Sequence, residues 1–175
     1  MRIQFFGDLS GTGFGTVTMD LGRALLAEGH DLRFVSQNDL GGDLPEPFLS
    51  RTFSVTADMT DPDRRAVLGV NSLALMERGI AGLLDGTLWP DAWKPEAVIM
   101  LGDYTNVEGF VLRAPEITAA FASVPTYHYV PIEGVDLPPT WTRLWDVVRP
   151  VAMSHFGAEQ IARVTGYLPP MVYHG

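Results

Sequence analysis

The chain contains no cysteine, and this absence excludes several kinds of chemistry at once. Without thiols there is no disulfide, no thiolate metal site and no cysteine nucleophile. Basic residues are also scarce, because 12 lysines and arginines stand against 21 aspartates and glutamates, for a formal net charge of −9. A protein that binds nucleic acid needs clustered basic side chains to neutralise phosphates, so we expect no nucleic-acid partner.

Long apolar runs are missing as well. The sequence has no stretch of about 18 consecutive apolar residues, the length that a membrane-spanning helix requires. Met1 leads directly into a strand pattern, without the features of a signal peptide. The histidines lack the spacing of metal ligands, so we expect no bound metal. Together these observations predict a soluble protein of the cytoplasm.

The size and patterning of the chain indicate its fold class. With 175 residues and 46% hydrophobic content, we expect one globular domain over residues 1–175. Apolar strand patterns alternate with helical ones along the sequence. The strand patterns are Ile3–Phe6, Leu32–Ser36, Thr52–Ala57, Ala97–Leu101, Val124–Val130 and Val151–Met153, with another at Met171–Tyr173. We expect a helix stop at Gly29-His30, and further helices that begin at Asp61-Pro62, run from Pro115 to about Ala122 and cover Thr140–Val148. The polar stretch Gln37–Pro47 is expected to be a loop. This alternation predicts an α/β fold, with an open, mostly parallel, Rossmann-like sheet and helices on both faces in three layers.

Three glycines fall within five residues at Gly11-Thr12-Gly13-Phe14-Gly15, between the first strand and the helical pattern Thr16–Ala27. Glycine tolerates a positive φ and lets a ligand approach the backbone closely. The free N–H groups at a helix start also favour phosphate or another anion. We therefore predict that Gly11–Gly15 bind a phosphorylated or hydroxyl-rich small molecule. The alternative is a structural turn with tight packing between helix and strand.

Further candidate residues follow the later strands, where ligands bind in open α/β sheets. We expect the segments that follow strands to converge on one edge of the sheet; they are Gly7–Gly15, Gly102–Asn106, His128–Gly134 and Ser154–Phe156. The candidate residues are Asp103, Tyr104, Asn106, His128, Glu133, Ser154 and His155. Each has a structural alternative. His128 fits a core histidine satisfied by hydrogen bonds, Asp103 and Asn106 fit helix caps, and Ser154 fits the cap of a helix that ends near Gly166. For Glu133 the alternative is a turn residue, and for His155 a residue of the first helical turn.

Other motifs fit less well. The phosphate-binding pattern GxxxxGK[ST] lacks its lysine, and the glycine spacing is not that of the dinucleotide pattern GxGxxG. No acidic residue ends the second strand, where Val35-Ser36-Gln37 stands. The four tryptophans, Trp89, Trp93, Trp141 and Trp145, could stack on sugar rings. However, Trp141 and Trp145 are four residues apart on one helix face, which favours packing against the sheet.

The motifs, taken in order, resemble the N-terminal lobe of a GT-B glycosyltransferase of the retaining family 4 (group 1) type. They are the glycine cluster Gly11–Gly15, "AEGHDLRFVS" at Ala27–Ser36, "AVIMLGDY" from Ala97, "VPTYHYVPIEG" from Val124, "RPVAMSHFGAEQIARVTG" from Arg149 and the final "MVYHG". The resemblance covers nearly the whole chain. Their order and spacing, rather than any one motif, carry it.

The resemblance implies a function and a division of labour. In that family two Rossmann-like lobes face each other, the first chiefly holding the acceptor and the second the nucleotide-sugar donor. It implies that Gly11–Gly15 lie near the donor diphosphate or the acceptor and that His128 is a catalytic residue beside the transferred sugar. Sugar transfer with retention, without a metal and without a cofactor other than the nucleotide-sugar co-substrate, is likewise implied. The partners are then that donor and a hydroxyl-bearing acceptor.

The sequence stops at His174-Gly175, inside a run that in the family marks the crossover to the second lobe. We therefore expect the C-terminal, donor-binding lobe to be missing from this chain and the chain alone to be inactive. Some members of the family contact membranes peripherally through basic helices. We expect such contact only in an intact enzyme, if it occurs. Two alternatives stay open, namely another Rossmann-type enzyme that uses NAD and a non-catalytic module that binds a sugar or a partner.

Overall fold

A computed structural model describes residues 1–36, 44–54, 80, 82–87 and 89–173. The chain divides into two compact units, Met1–Glu96 and Ala97–Gly175. Each unit contains three parallel strands with helical connections. Most of the loop predicted at Gln37–Pro47, the end of the strand predicted at Thr52–Ala57 and most of the helix predicted to begin at Asp61-Pro62 lie outside the described residues.

The first unit is built around a strand–helix–strand motif. Strand β1 (Arg2–Gly7) leads to helix α1 (Gly13–Ala27) and then to strand β2 (Asp31–Ser36), which also pairs with the short strand β3 (Thr52–Ser54). All pairing is parallel, in the order β3-β2-β1, with Ile3 beside Leu32 and Gly7 beside Ser36. Helix α1 ends at a left-handed turn at Gly29, whose φ is 82°, as the sequence predicted for a helix stop.

Aromatic residues fill the core between α1 and the strands. The Phe34 ring lies 5.7 Å from that of Phe5 and 5.1 Å from that of Phe48, and all three side chains are fully buried. Gly22 lets the helix approach these rings, because a Cβ there would lie 2.9 Å from Phe48 and 3.0 Å from Phe34. A larger residue at this position would push α1 off the sheet.

Two of the tryptophans belong to this unit, and both are buried. The Trp89 indole N–H donates to Gln4 Oε1 at 2.9 Å, and the Trp93 indole N–H donates to Asp31 Oδ2 at 2.7 Å. The Arg33 guanidinium lies over both indole rings, at 5.3 Å and 5.6 Å from their centres. Packing and hydrogen bonds within the fold thus account for Trp89 and Trp93.

The second unit repeats the same plan. Strand β4 (Ala97–Leu101) is followed by helices α2 (Tyr104–Val111) and α3 (Pro115–Ala122), strand β5 (Thr126–Val130), the short helix α4 (Thr142–Trp145), strand β6 (Arg149–Ala152) and helix α5 (His155–Thr165). The strands are parallel in the order β4-β5-β6, with Leu101 beside Tyr129 and Val130 beside Ala152. Two predictions are confirmed here: Pro115 begins α3, and Gly166 ends α5 with a φ of 79°.

Two predicted elements of the second unit are wrong. The helix expected from Thr140 to Val148 is a 3-10 turn at Pro139–Trp141 followed by the single helical turn α4. The strand expected at Met171–Tyr173 is a lone bridge between Met171 and Ala152. Pro169 and Pro170 precede it, and proline has no N–H with which to extend a ladder.

The predicted fold class is confirmed. The chain is an α/β protein in which parallel strands are flanked by helices, consistent with an open, Rossmann-like, three-layer fold. Among the helices of the described residues, none combines the length and the apolar character needed to cross a membrane.

Candidate functional site

The glycine cluster forms the junction of β1 with α1. Thr12 is the N-cap of α1, and its Oγ1 accepts a hydrogen bond from Gly15 N at 3.0 Å. The same hydroxyl donates to Asp8 Oδ2 at 2.6 Å, while Asp8 Oδ1 accepts from Ser10 N at 2.7 Å. Asp8 and Thr12 thereby fix the loop, and Gly11, Thr12 and Gly13 remain exposed at its surface.

The expected backbone conformation of the cluster is wrong in one respect. Among the described residues, the glycines with positive φ are Gly29, Gly86 and Gly166, so no glycine of the cluster is left-handed. The helix also begins at Gly13 rather than at Thr16. Thr12 explains both differences, because its cap lets the helical backbone start within the glycine run.

The three glycines serve different purposes. A Cβ at Gly15 would lie 1.8 Å from the carbonyl oxygen of Ser10, so only glycine fits where the loop crosses the helix. At Gly11 and Gly13 no atom lies within 4 Å of such a Cβ. The structural reading of the cluster therefore explains Gly15, whereas the packing of the loop does not require Gly11 or Gly13.

The charge of the loop bears on the ligand that it could accept. A helix N-terminus favours an anion, yet the Asp8 carboxylate already occupies hydrogen-bond donors of this turn. A phosphate placed beside Asp8 would meet like-charge repulsion, whereas a hydroxyl could donate to the carboxylate and accept from a backbone N–H. The geometry thus fits a hydroxyl-rich ligand better than a phosphate.

The last residue of β2 is Ser36, at the position that bears on dinucleotide binding. Ser36 is fully buried, and its Oγ accepts a hydrogen bond from Leu9 N at 3.3 Å. Dinucleotide-binding folds place at this point an acidic side chain that holds the ribose hydroxyls. In this chain Ser36 stands there instead, where it holds Leu9 just before the glycine loop and offers no carboxylate.

In the second unit the other candidate residues gather at one edge. Because β4, β5 and β6 run parallel and in register, the segments that follow them emerge on the same side. Asp103, Asn106, Glu133 and His155 are exposed there. Ile132 meets the first turn of α5, since a Cβ at Gly157 would lie 3.3 Å from the Ile132 Cβ. The predicted convergence of the strand ends is therefore present within this unit.

Two capping alternatives have opposite outcomes. Ser154 is the N-cap of α5, and its Oγ accepts from Gly157 N at 3.0 Å, as predicted. Asp103 occupies the N-cap position of α2 but makes no capping hydrogen bond, so the capping interpretation of Asp103 is wrong. The His155 ring packs edge-on against Tyr173, with the ring centres 5.5 Å apart. Substrate binding by these residues stays a prediction.

His128 lies in the middle of β5 and is fully buried. Its Nε2 is 2.9 Å from the carbonyl oxygen of Gly102, and its Nδ1 is 3.4 Å from the indole nitrogen of Trp145. An indole N–H can only donate, so Nδ1 is the acceptor and Nε2 carries the proton that is donated to Gly102. The imidazole is therefore neutral, in a defined tautomer, with both nitrogens engaged by the fold.

Burial in this setting shifts the titration of the imidazole. Loss of solvation disfavours the charged ring and lowers the pKa of His128 to about 4, although the Gly102 carbonyl works in the opposite direction. Near neutral pH the ring does not carry a proton on Nδ1. The catalytic assignment of His128 stays a prediction, and the geometry is that of the alternative, a core histidine satisfied by hydrogen bonds.

Trp145, the hydrogen-bond partner of His128, forms an aromatic cluster with Tyr104 and Trp141. The rings of Tyr104 and Trp141 stack in parallel, with centres 3.9 Å apart and an interplanar angle of 2°. Trp145 stands nearly perpendicular to both rings. The Tyr104 hydroxyl lies 3.1 Å from Glu108 Oε1, and burial, followed by that hydrogen bond, raises the pKa of the phenol above its usual value. Neither the contact of Glu108 with Tyr104 nor the role of Asp8 in the glycine loop is predicted from the sequence, although Asp8 stands four residues before Thr12.

Comparison with known proteins adds no assignment to this geometry. No protein-family model matches the chain, and no curated protein matches it. Within the described ranges, no group of three or more acidic, histidine or cysteine side chains could hold a metal ion.

Proposed function

We propose that this chain is the acceptor-side lobe of a GT-B glycosyltransferase, which presents a hydroxyl-bearing acceptor to a nucleotide-sugar donor bound by a second lobe. The observation that carries the proposal is the glycine loop. It is open at Gly11 and Gly13, and beside it lies the Asp8 carboxylate, which suits hydroxyl groups. The confirmed α/β fold and the order of the matching motifs support the same reading.

The proposal assigns the reaction's charge chemistry to the donor lobe. In such a transfer the acceptor oxygen attacks the anomeric carbon while the diphosphate departs, and cations or N–H groups stabilise the departing charge. This chain has a net charge of −9 and an acidic residue at its glycine loop, so it is suited to the neutral acceptor. Retention and independence of metals are part of the proposal on the strength of the resemblance alone.

The NAD-dependent alternative is disfavoured by Ser36, which stands buried where a ribose-binding acid is needed. The non-catalytic sugar-binding module shares the acceptor chemistry and differs only in lacking a donor lobe. A transfer assay separates the two, because a donor lobe joined to this chain yields turnover only in the first case.

Calorimetry of the 175-residue chain tests the proposal. We expect no saturable binding of UDP-glucose, GDP-mannose, ADP-glucose or NADH below about 1 mM, and no sugar transfer by the chain alone. A blocking variant, Gly11→Leu, should weaken the binding of maltose and cellobiose used as acceptor probes. Gly109→Leu, whose Cβ likewise meets no atom within 4 Å, is the matched control. Micromolar binding of a nucleotide sugar or of NADH would overturn the proposal.

A further inference from the structure

Trp141 differs from the other three tryptophans of the chain because it is only half-buried, whereas Trp89, Trp93 and Trp145 are buried. One of its faces is covered by Tyr104, whose ring lies parallel to it at 3.9 Å. The opposite face of the Trp141 ring is its outer face, and the third ring of the cluster, that of Trp145, is the aromatic ring that could cover it.

Trp145 does not lie on that outer face. Its ring centre is 5.7 Å from that of Tyr104 and 5.8 Å from that of Trp141, with interplanar angles of 82° and 81°. A ring almost equally distant from two stacked rings lies beside the stack, against their edges. Among the described residues, neither of the other two rings of the aromatic cluster lies against the outer face of Trp141, and the partial exposure of Trp141 agrees with this.

The position of the stack is set by buried contacts. Trp145 is held through its indole N–H by His128, and His128 is held by the Gly102 carbonyl. Tyr104 is buried, and its hydroxyl lies 3.1 Å from Glu108 and 3.4 Å from the Thr140 carbonyl. Trp141 is thus supported from behind by a rigid set of partners, as a preorganised binding surface requires.

The side chains near the stack are of the kinds that bind hydroxyl groups. Glu108 accepts from Tyr104, and the charge of Arg143 acts on the same phenol. Asp103 and Asn106, on either side of Tyr104 in sequence, are exposed, and Asp103 makes no capping bond. An aromatic stack that carries a carboxyl group and a guanidinium group at the Tyr104 phenol suits a ligand with one apolar face and a polar rim.

We propose that the outer face of Trp141 is a stacking platform for a pyranose ring of the acceptor. This deepens the proposed function, on which it rests, by naming the substrate class as a carbohydrate rather than a simple alcohol or a lipid. His128 then acts as a positioning residue, since through Trp145 it fixes the stack. A nucleotide is disfavoured as the occupant, because its phosphates would approach the Glu108 carboxyl group in an acidic protein.

The test uses methyl α- and β-pyranosides of glucose, galactose and mannose, followed by saturation-transfer NMR and tryptophan fluorescence. We expect Trp141→Ala to weaken binding by about tenfold and Trp141→Phe, which keeps a ring, by no more than about threefold. Tyr167→Ala is the control, because Tyr167 is an exposed aromatic residue that makes no ring contact with the aromatic cluster among the described residues. Glucitol, which has the hydroxyls but no ring, should not bind.

Several results would overturn the platform. They are wild-type affinity in a folded Trp141→Ala variant, equal binding of glucitol, and no pyranoside binding up to about 50 mM. If Trp141→Ala does not fold, the wild-type spectrum decides, because stacking requires strong saturation of one pyranose face and an even distribution contradicts it. Nucleotide-sugar or NADH binding would instead refute the proposed function, so the two failures are distinguishable.

Discussion

Acidification should destabilise this protein through His128. The imidazole is fully buried and neutral, its Nε2–H donates to the Gly102 carbonyl, and its Nδ1 accepts from Trp145. Protonation would place a second N–H on Nδ1, directly opposite the indole N–H, and would bury a charge for which the described part of the chain provides no ion-pair partner. Both effects penalise the charged ring in the folded state alone.

The magnitude follows from the two titrations of the ring. In the folded state the pKa of His128 is about 4, whereas its ordinary value is 6.5. Between these values the unfolded chain binds a proton that the folded chain does not. The stabilisation is therefore complete above pH 6.5 and is lost as the pH falls toward 4. The full loss is about 3 kcal/mol, of which about 2 kcal/mol is gone at pH 5.

The assay is urea denaturation of the wild type and of His128→Gln at several pH values between 7.5 and 5. Glutamine keeps a donor for Gly102 but does not titrate, so the difference between the two proteins cancels the contribution of every other titrating group. At pH 7.5 we expect the wild type to be more stable, and by pH 5 this advantage should shrink by about 2 kcal/mol. Parallel stability curves for the two proteins over this range would refute the reasoning.

Three further predictions concern the loops and caps. Gly15→Ala should lower the free energy of unfolding by about 3 kcal/mol, because its Cβ would meet the Ser10 carbonyl, whereas Gly13→Ala should change it by less than about 1 kcal/mol; urea denaturation that shows equal effects would contradict this. Ser154→Ala should cost about 1 kcal/mol through loss of the α5 cap and Ser154→Thr much less, by the same measurement, and equal losses would argue against the cap. Asp8→Asn should strengthen the binding of inorganic phosphate several-fold in ³¹P NMR titrations, and unchanged affinity would show that the carboxylate does not select the ligand.

The fold could be predicted where local patterns and tertiary packing agree. The apolar run Ala97–Leu101 is a strand because a parallel strand is buried on both faces, and Pro115 starts a helix because its missing N–H is not needed there. The helix predicted over Thr140–Val148, which contains the second pair of tryptophans, did not form as a continuous helix. Trp141 and Trp145 have helical spacing, but the rings are arranged by stacking on Tyr104 and by the bond to His128. Such contacts join residues far apart in sequence and have no local signature.

The candidate site could be predicted from the sequence only in part, for a related reason. Sequence spacing placed the glycines between β1 and α1, yet it could not reveal that Asp8 would fill donors of the turn or that Gly15 is required by the Ser10 carbonyl. Likewise, the position of His128 on a strand indicates nothing about its burial or its tautomer. Residue identity predicts which chemistry is available, whereas the partners that each group acquires on folding decide whether that chemistry can face a ligand.

Polar groups that form hydrogen bonds within the fold therefore differ in role from those left at the surface. His128 and Ser36 use their hydrogen bonds on backbone or indole groups, so these side chains hold neighbouring segments in place. Asp103 occupies a capping position without capping, and Gly11 lies open where packing would allow a side chain. A group that the folded state does not require is the better candidate for a ligand contact. By this criterion Gly11, Gly13 and Asp103, rather than the buried histidine, are where substitutions should alter binding without altering stability.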